Sequence, residues 1–156
     1  MKDITSTVAD LRAPTVKKRQ LAAAELGKSG NLSAIAPLIA AFSDPHPAVR
    51  SEIVQALGRL GDSEALPALI TALEDSEPGI RCAAIAALGK IRDPAAADPL
   101  IRCLEDKDMN VRIGSAEILG KLGDKQAIRQ LTLLLDDPFS DVRNSAHAAI
   151  SKLTKK

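Results

Sequence analysis

The chain has 156 residues, room for about one domain, and its net charge of +1 supplies no global field to draw it onto nucleic acid or a membrane. Hydrophobic residues make up 46%, yet Trp and Tyr are absent and only two Phe occur, so the core must come from Leu, Ile, Val and Ala. Small apolar residues of this kind suit closely stacked helices rather than sheets, and no apolar run nears the ~20 residues of a membrane span.

The elements follow in chain order. Ile4, Val8 and Leu11 form a short apolar stripe at helical spacing. Residues 13–43 hold a first helix pair. Its helix A is expected to use Leu21 and Leu26, and its helix B uses Ile35, Leu38 and Phe42. Residues 44–74 show the unit most clearly. Asp44-Pro45-His46-Pro47 is a turn that opens a helix, Pro being tolerated in the first turn. Val49, Ile53, Leu57 and Leu60 make the stripe of helix A, and Gly58 and Gly61 are expected to close it. Asp62 or Ser63 caps helix B, whose stripe is Leu66, Leu69, Ile70 and Leu73. In 75–105 the stripes are Ile80, Ala84, Leu88, Ile91 and then Ala97, Leu100, Ile101, Leu104. In 106–136 they are Val111, Ser115, Leu119, Leu122 and then Ile128, Leu131, Leu135. Residues 137–156 match helix A alone, with Ser151 at the place of the Gly.

One spacing ties these elements together. Val49-Arg50, Ile80-Arg81, Val111-Arg112 and Val142-Arg143 recur every 31 residues. Asp44, Asp75, Asp106 and Asp137 lead each pair by a constant offset, and Arg19 continues the Arg series without its Asp. A fixed period with helical patterning inside it means an all-α solenoid of stacked helix pairs, about ten helices in all. The reading is a single solenoid over 1–156: a half-repeat at 3–12, full repeats at 13–43, 44–74, 75–105 and 106–136, and a half-repeat at 137–156. Half-repeats at both ends are what a whole small protein or an intact module requires. Stacking places equivalent residues one above another, so Asp44, Asp75, Asp106 and Asp137 can accept bonds from turn N–H groups and from an Arg of their own or a neighbouring repeat (Arg50, Arg81, Arg112, Arg143) as a charge-assisted ladder. Because each Arg has an Asp in register, the row reads as structural rather than anion-binding.

The unit Asp75 to Arg81 followed by Ala83-Ala84-Ile85-Ala86-Ala87-Leu88-Gly89-Lys90-Ile91-Arg92-Asp93 resembles a HEAT repeat. The short period and the Leu-Gly-x-[Leu/Ile]-x-Asp turn are similar to the phycobilisome-lyase-type, HEAT-like subclass, over residues 3–156. The resemblance implies a right-handed superhelix with A helices convex and B helices concave, and it matches the Asp and Arg of the ladder. Relatives of this type include bilin lyase subunits, phycobilisome-degradation factors and many scaffolds. A metal-dependent hydroxylase shares the fold through repeated His-Glu pairs. Here His46 and His147 are not followed by Glu, so no metal and no cofactor is expected. DNA glycosylases on this scaffold use aromatics and a basic groove, which this chain lacks.

If the B helices line the inner curve, three rows of residues pave it: Ala36, Pro67, Asp98, Arg129; then Pro37, Ala68, Pro99, Gln130; then Ala40, Thr71, Arg102, Leu133. Its first half is small and apolar, and its second half is charged. Such a trough suits a partner helix or peptide; the competing reading is that Ala and Pro merely permit tight curvature. Lys17-Lys18-Arg19 with Arg12 and Lys28 is either a patch for phosphate or acidic protein, or a solvated face. Useful nucleic-acid affinity takes about six phosphate contacts, and aromatics for base stacking are missing.

No constellation of nucleophile, base and acid exists around His46 or His147, and the glycines form no phosphate-binding loop. Cys82 and Cys103 have neither zinc nor redox spacing and fit a reducing, cytoplasmic setting. The expected function is therefore a non-enzymatic scaffold that grips a protein or peptide on its concave face. Two alternatives stand beside it: a bilin lyase or chromophore-handling factor, implied by the resemblance alone, and a self-assembling unit. The last would associate weakly end to end through Phe139, Val142, Ile150 and Leu153.

Overall fold

The computed structural model of the chain describes residues 3–155. Ten α-helices follow one another among them: α1 (Thr5–Asp10), α2 (Val16–Lys28), α3 (Ile35–Ala41), α4 (Pro47–Leu60), α5 (Leu66–Ala72), α6 (Pro78–Ile91), α7 (Ala97–Cys103), α8 (Met109–Leu122), α9 (Ile128–Leu133) and α10 (Ser140–Thr154). Even-numbered helices are the long A helices and odd-numbered ones the short B helices. The fold is an all-α stack of helix pairs.

Local chemistry explains several of these boundaries. Pro47 and Pro78 stand in the first turns of α4 and α6, where no intrahelical N–H is needed. His46 caps α4 through Nδ1, which accepts the Ala48 N–H at 3.3 Å. Asp108 caps α8, accepting the N–H groups of Asn110 and Val111 at 2.8 and 3.2 Å. Each B helix from α3 to α9 is entered through one 3-10 turn. A side chain at the same repeat position caps these turns: Asn31, Asp62, Asp93 and Asp124.

The chain divides into two compact units, one ending at Ile91 and the other beginning at Arg92. In the first, α2, α4 and α6 pack side by side, with α1 on α2, α3 on α4 and α5 on α6. Leu26, Leu38, Ile53, Leu57, Leu69 and Leu88 are fully buried there. In the second, α8 packs on α10, α7 on α8 and α9 on α10, around Leu104, Leu119, Leu131 and Val142. Burying each such aliphatic side chain stabilises by about 1.5–3 kcal/mol.

Three expectations need correction. Gly58, Gly89 and Gly120 do not close their helices; α4, α6 and α8 run past them to Leu60, Ile91 and Leu122. The stops are Gly61 and Gly123, in the left-handed region at φ +69° and +82°. Gly58 and Gly120 instead admit the next A helix. A Cβ on Gly58 would lie 2.7 Å from the Ala87 Cβ, and one on Gly120 would lie 2.9 Å from the Ala149 Cα. Gly27 meets Ala56 in the same way, at 2.6 Å from its Cα.

Leu21 is exposed, because the repeat register puts it where Glu52 stands in α4; Ala22, Ala23 and Leu26 face inward instead. At the other end, Val142 and Leu153 are buried against the second unit's own helices and Ile150 is half-buried. Of the four residues proposed for end-to-end association, Phe139 alone is well exposed, and its ring covers the Arg112 guanidinium at 5.8 Å.

Candidate functional site

The Asp–Arg ladder engages most of the arginines that recur with the repeat period. Arg19 donates from Nε and Nη2 to both carboxylate oxygens of Asp44, at 2.6 and 3.1 Å. Arg50 does the same to Asp75, at 2.7 and 3.0 Å, and Arg112 to Asp137, at 2.8 and 3.1 Å. The pairing is thus from one repeat to the next, 25 residues on. The remaining nitrogen turns back to its own turn: Arg50 Nη1 donates to the carbonyl of Asp44, Arg81 to that of Asp75, Arg112 to that of Asp106 and Arg143 to that of Asp137. Each Asp also orders the turn that carries it. Asp44, Asp75, Asp106 and Asp137 accept the N–H two residues on, from His46, Glu77, Asp108 and Phe139.

The carboxylates respond accordingly. The Arg50 guanidinium holds Asp75 below the usual carboxylate range, against the opposing effect of burial. At Asp44 and Asp137 burial is the larger single effect and pushes upward. The bonds from Arg19 and Arg112, with the turn N–H groups, together outweigh it, so both also lie low. The ladder joins neighbouring repeats within each unit.

The B-helix rows can be followed unit by unit. In the first unit Ala36, Ala40, Pro67 and Thr71 are exposed, and Pro37 and Ala68 are half-buried. The Thr71 hydroxyl donates to the Pro67 carbonyl at 3.0 Å, so it is committed to its own helix. In the second unit Asp98, Arg102, Arg129 and Leu133 are exposed, Leu133 at 67%, and Gln130 is half-buried. Pro99 is buried and offers no surface. No hydrogen bond or ion pair engages the side chains of Asp98, Arg102 or Arg129 among the described residues, in contrast to the ladder arginines.

A cleft of about 540 Å³ opens in the first unit between α1, the start of α2 and the end of α3. Pro37 and Ala40, both on the B-helix face, belong to its wall. Sequence reading missed it, because it depends on how α1 lies beside α3. The one visible signal was Arg12, noted only as part of a basic run. That run separates in the structure: Arg19 enters the ladder, Lys18 meets Asp10 at 2.8 Å, and Arg12 lines the cleft. His46 and His147 are both exposed, and no group of three or more His, Cys, Asp or Glu suited to a metal ion occurs among the described residues. Cys82 is half-buried and Cys103 buried. No helix among the described residues is long and apolar enough to cross a membrane.

Comparison with known proteins agrees with this geometry. The family model for HEAT repeats matches residues 6–80 and 66–151, nearly the whole chain. The chain belongs to the HEAT-repeat family. Among solved structures, the complex of CpcE and CpcF of phycocyanin lyase from Nostoc sp. PCC7120 is similar at 29% identity and a TM-score of 0.82. The match covers 100% of this chain and 66% of that one, so this HEAT-repeat chain spans under two thirds of its relative's length. A designed armadillo repeat protein in complex with the peptide (KR)4 shares the fold at 20% identity and a TM-score of 0.72, over 97% of this chain and 82% of that one. Human deoxyhypusine hydroxylase in complex with glycerol does so more loosely, at 18% identity and a TM-score of 0.52, over 96% and 84%. No curated protein matches.

Proposed function

We propose that this HEAT-repeat protein is a binding scaffold without catalytic activity of its own, whose B helices present the surface for a protein or peptide partner. The supporting observation is the contrast between two sets of arginines. Arg19, Arg50 and Arg112 are forked onto carboxylates, whereas Arg102 and Arg129 are exposed with no bond of their own among the described residues, and Leu133 on α9 is exposed as well. Stacking does not require an exposed Leu, and solvent-facing apolar groups beside unpaired charges are a common feature of interaction surfaces. The small side chains of α3 and α5 let a partner backbone come close, as a docked helix needs. That a designed armadillo repeat protein of like fold was solved with a bound peptide fits the same use of the scaffold.

The test is affinity capture followed by mass spectrometry, comparing wild type with Ala36→Arg/Ala68→Arg and with a triple variant at Asp98, Arg102 and Arg129. Ala36, Asp98, Arg102 and Arg129 are exposed and Ala68 is half-buried on the same face, so the fold should survive, checked by circular dichroism. A partner held by wild type and lost from either variant is the expected result. Identical captures from all three proteins would reject the reading.

The likeness to the phycocyanin lyase complex favours a second reading, a factor that handles a bilin or its carrier protein. Against it, the chain has no Trp or Tyr to stack on a tetrapyrrole. Mixing the protein with phycocyanobilin tests the bilin half of this reading: a shifted visible spectrum supports it, and an unchanged one counts against it.

A further inference from the structure

The cleft beside α1 has a composition of its own. Val8, Leu11, Pro37 and Ala40 supply apolar wall, Ser43 a hydroxyl, and Arg12 a guanidinium. Its charged groups can be enumerated. Arg19 and Asp44 also line it, but they are forked onto each other. Asp10, the last residue of α1, pairs with Lys18 at 2.8 Å. Arg12 is exposed and no ion pair engages it among the described residues. The cleft therefore carries one uncompensated positive charge among mixed apolar and polar walls, in a stretch (residues 1–43) with six Lys and Arg against three Asp and Glu.

We infer that this cleft is the anchor point of the partner, and that it takes an acidic-apolar peptide segment: a Leu-like side chain against Val8, Pro37 and Ala40, with a neighbouring Asp or Glu carboxylate on Arg12. The inference rests on the B-helix reading, since Pro37 and Ala40 belong to both surfaces. It adds the sign of the partner's charge and the place where its anchor sits. A cavity of about 540 Å³ is large enough for an aliphatic side chain with its backbone, within the usual range of ligand clefts. Apolar contact supplies affinity there, and the exposed ion pair supplies selectivity for acid over base. A basic peptide is disfavoured, because the fixed charge at the rim repels it.

The experiment is a titration of the 15N-labelled protein with the peptide acetyl-Leu-Glu-Glu-Leu-Leu-amide and with its glutamine twin, followed by amide shifts. The expected result is shifts at Val8, Ala13, Ala40 and Ser43 with the acidic peptide. Binding should be about fivefold weaker for the glutamine twin or for Arg12→Glu, the scale of one exposed ion pair. Arg12→Lys should retain most of the binding, and Ala40→Arg, which fills the cleft, should abolish it. Equal binding of both peptides, or no shifts at these amides at about 1 mM peptide, would overturn the inference. Shifts on α7 and α9 instead, unaffected by Arg12→Glu, would reject the cleft while leaving the B-helix reading intact.

Discussion

Asp75 shows how much one side chain can hold. It joins two repeats through both its oxygens and orders its own turn through the Glu77 N–H. The Arg50 and Asp75 side chains retain only 16% and 7% of their exposure, so removing the carboxylate strands a largely desolvated guanidinium. Asp75→Ala should cost about 3 kcal/mol, measured by urea unfolding. The sign of the pH dependence follows from the direction of the shift. Asp44, Asp75 and Asp137 titrate lower when folded, so their contribution is complete above the unfolded value of about 3.9 and is lost as pH falls through the folded one. Unfolding free energy should be flat from about pH 7 to 5 and fall steeply below about pH 4. Asp75→Asn should make that fall shallower; an unchanged profile would mean the ladder does not govern acid stability. Arg92 makes the opposite case. It sits at φ +58°, where the equivalent residues of other repeats are Gly30, Gly61 and Gly123. A non-glycine residue pays about 1 kcal/mol there, so Arg92→Gly should raise stability by roughly that amount.

At the level of the helix, the small residues prove more informative than the large ones. Gly27, Gly58 and Gly120 each lie against an Ala of the next A helix, 29 residues on, with no room for a methyl group. Gly27→Ala drives its Cβ to 2.6 Å from the backbone Cα of Ala56, which cannot swing away as a side-chain tip would. It should destabilise by about 1–3 kcal/mol in thermal or urea unfolding, where a surface change such as Gly79→Ala, with open space around it, should be near neutral. This role was hidden in the sequence. A Gly followed four residues later by an Asp resembles a helix stop, and only the packing of α2 on α4 and of α8 on α10 distinguishes a stop from a contact. The period itself was legible because Asp and Arg must meet in register, so their spacing is fixed by geometry. Leu21 misled for the converse reason: hydrophobicity alone cannot fix register, whereas Arg19, pinned to Asp44, does. On the B helices, alternation identified the outward positions but not Pro99, which tertiary packing buries.

For the whole molecule, the repeat accounts for the fold and leaves the surface free to vary, which is why the rows on the B helices could be located but not assigned a partner from sequence. What the structure adds is a division of labour. Arg19, Arg50 and Arg112 are forked onto carboxylates of the next repeat, while Arg12, Arg102 and Arg129 stand exposed with no ion pair among the described residues, and it is there that we propose the partner's charges meet the chain. Hydrogen exchange on the captured complex tests this most directly. New protection is expected at the amides of α3, α5, α7 and α9 when the partner is bound, with α4 and α8 unchanged from the chain alone. Protection confined to the A helices, or no change on any B helix, would contradict it.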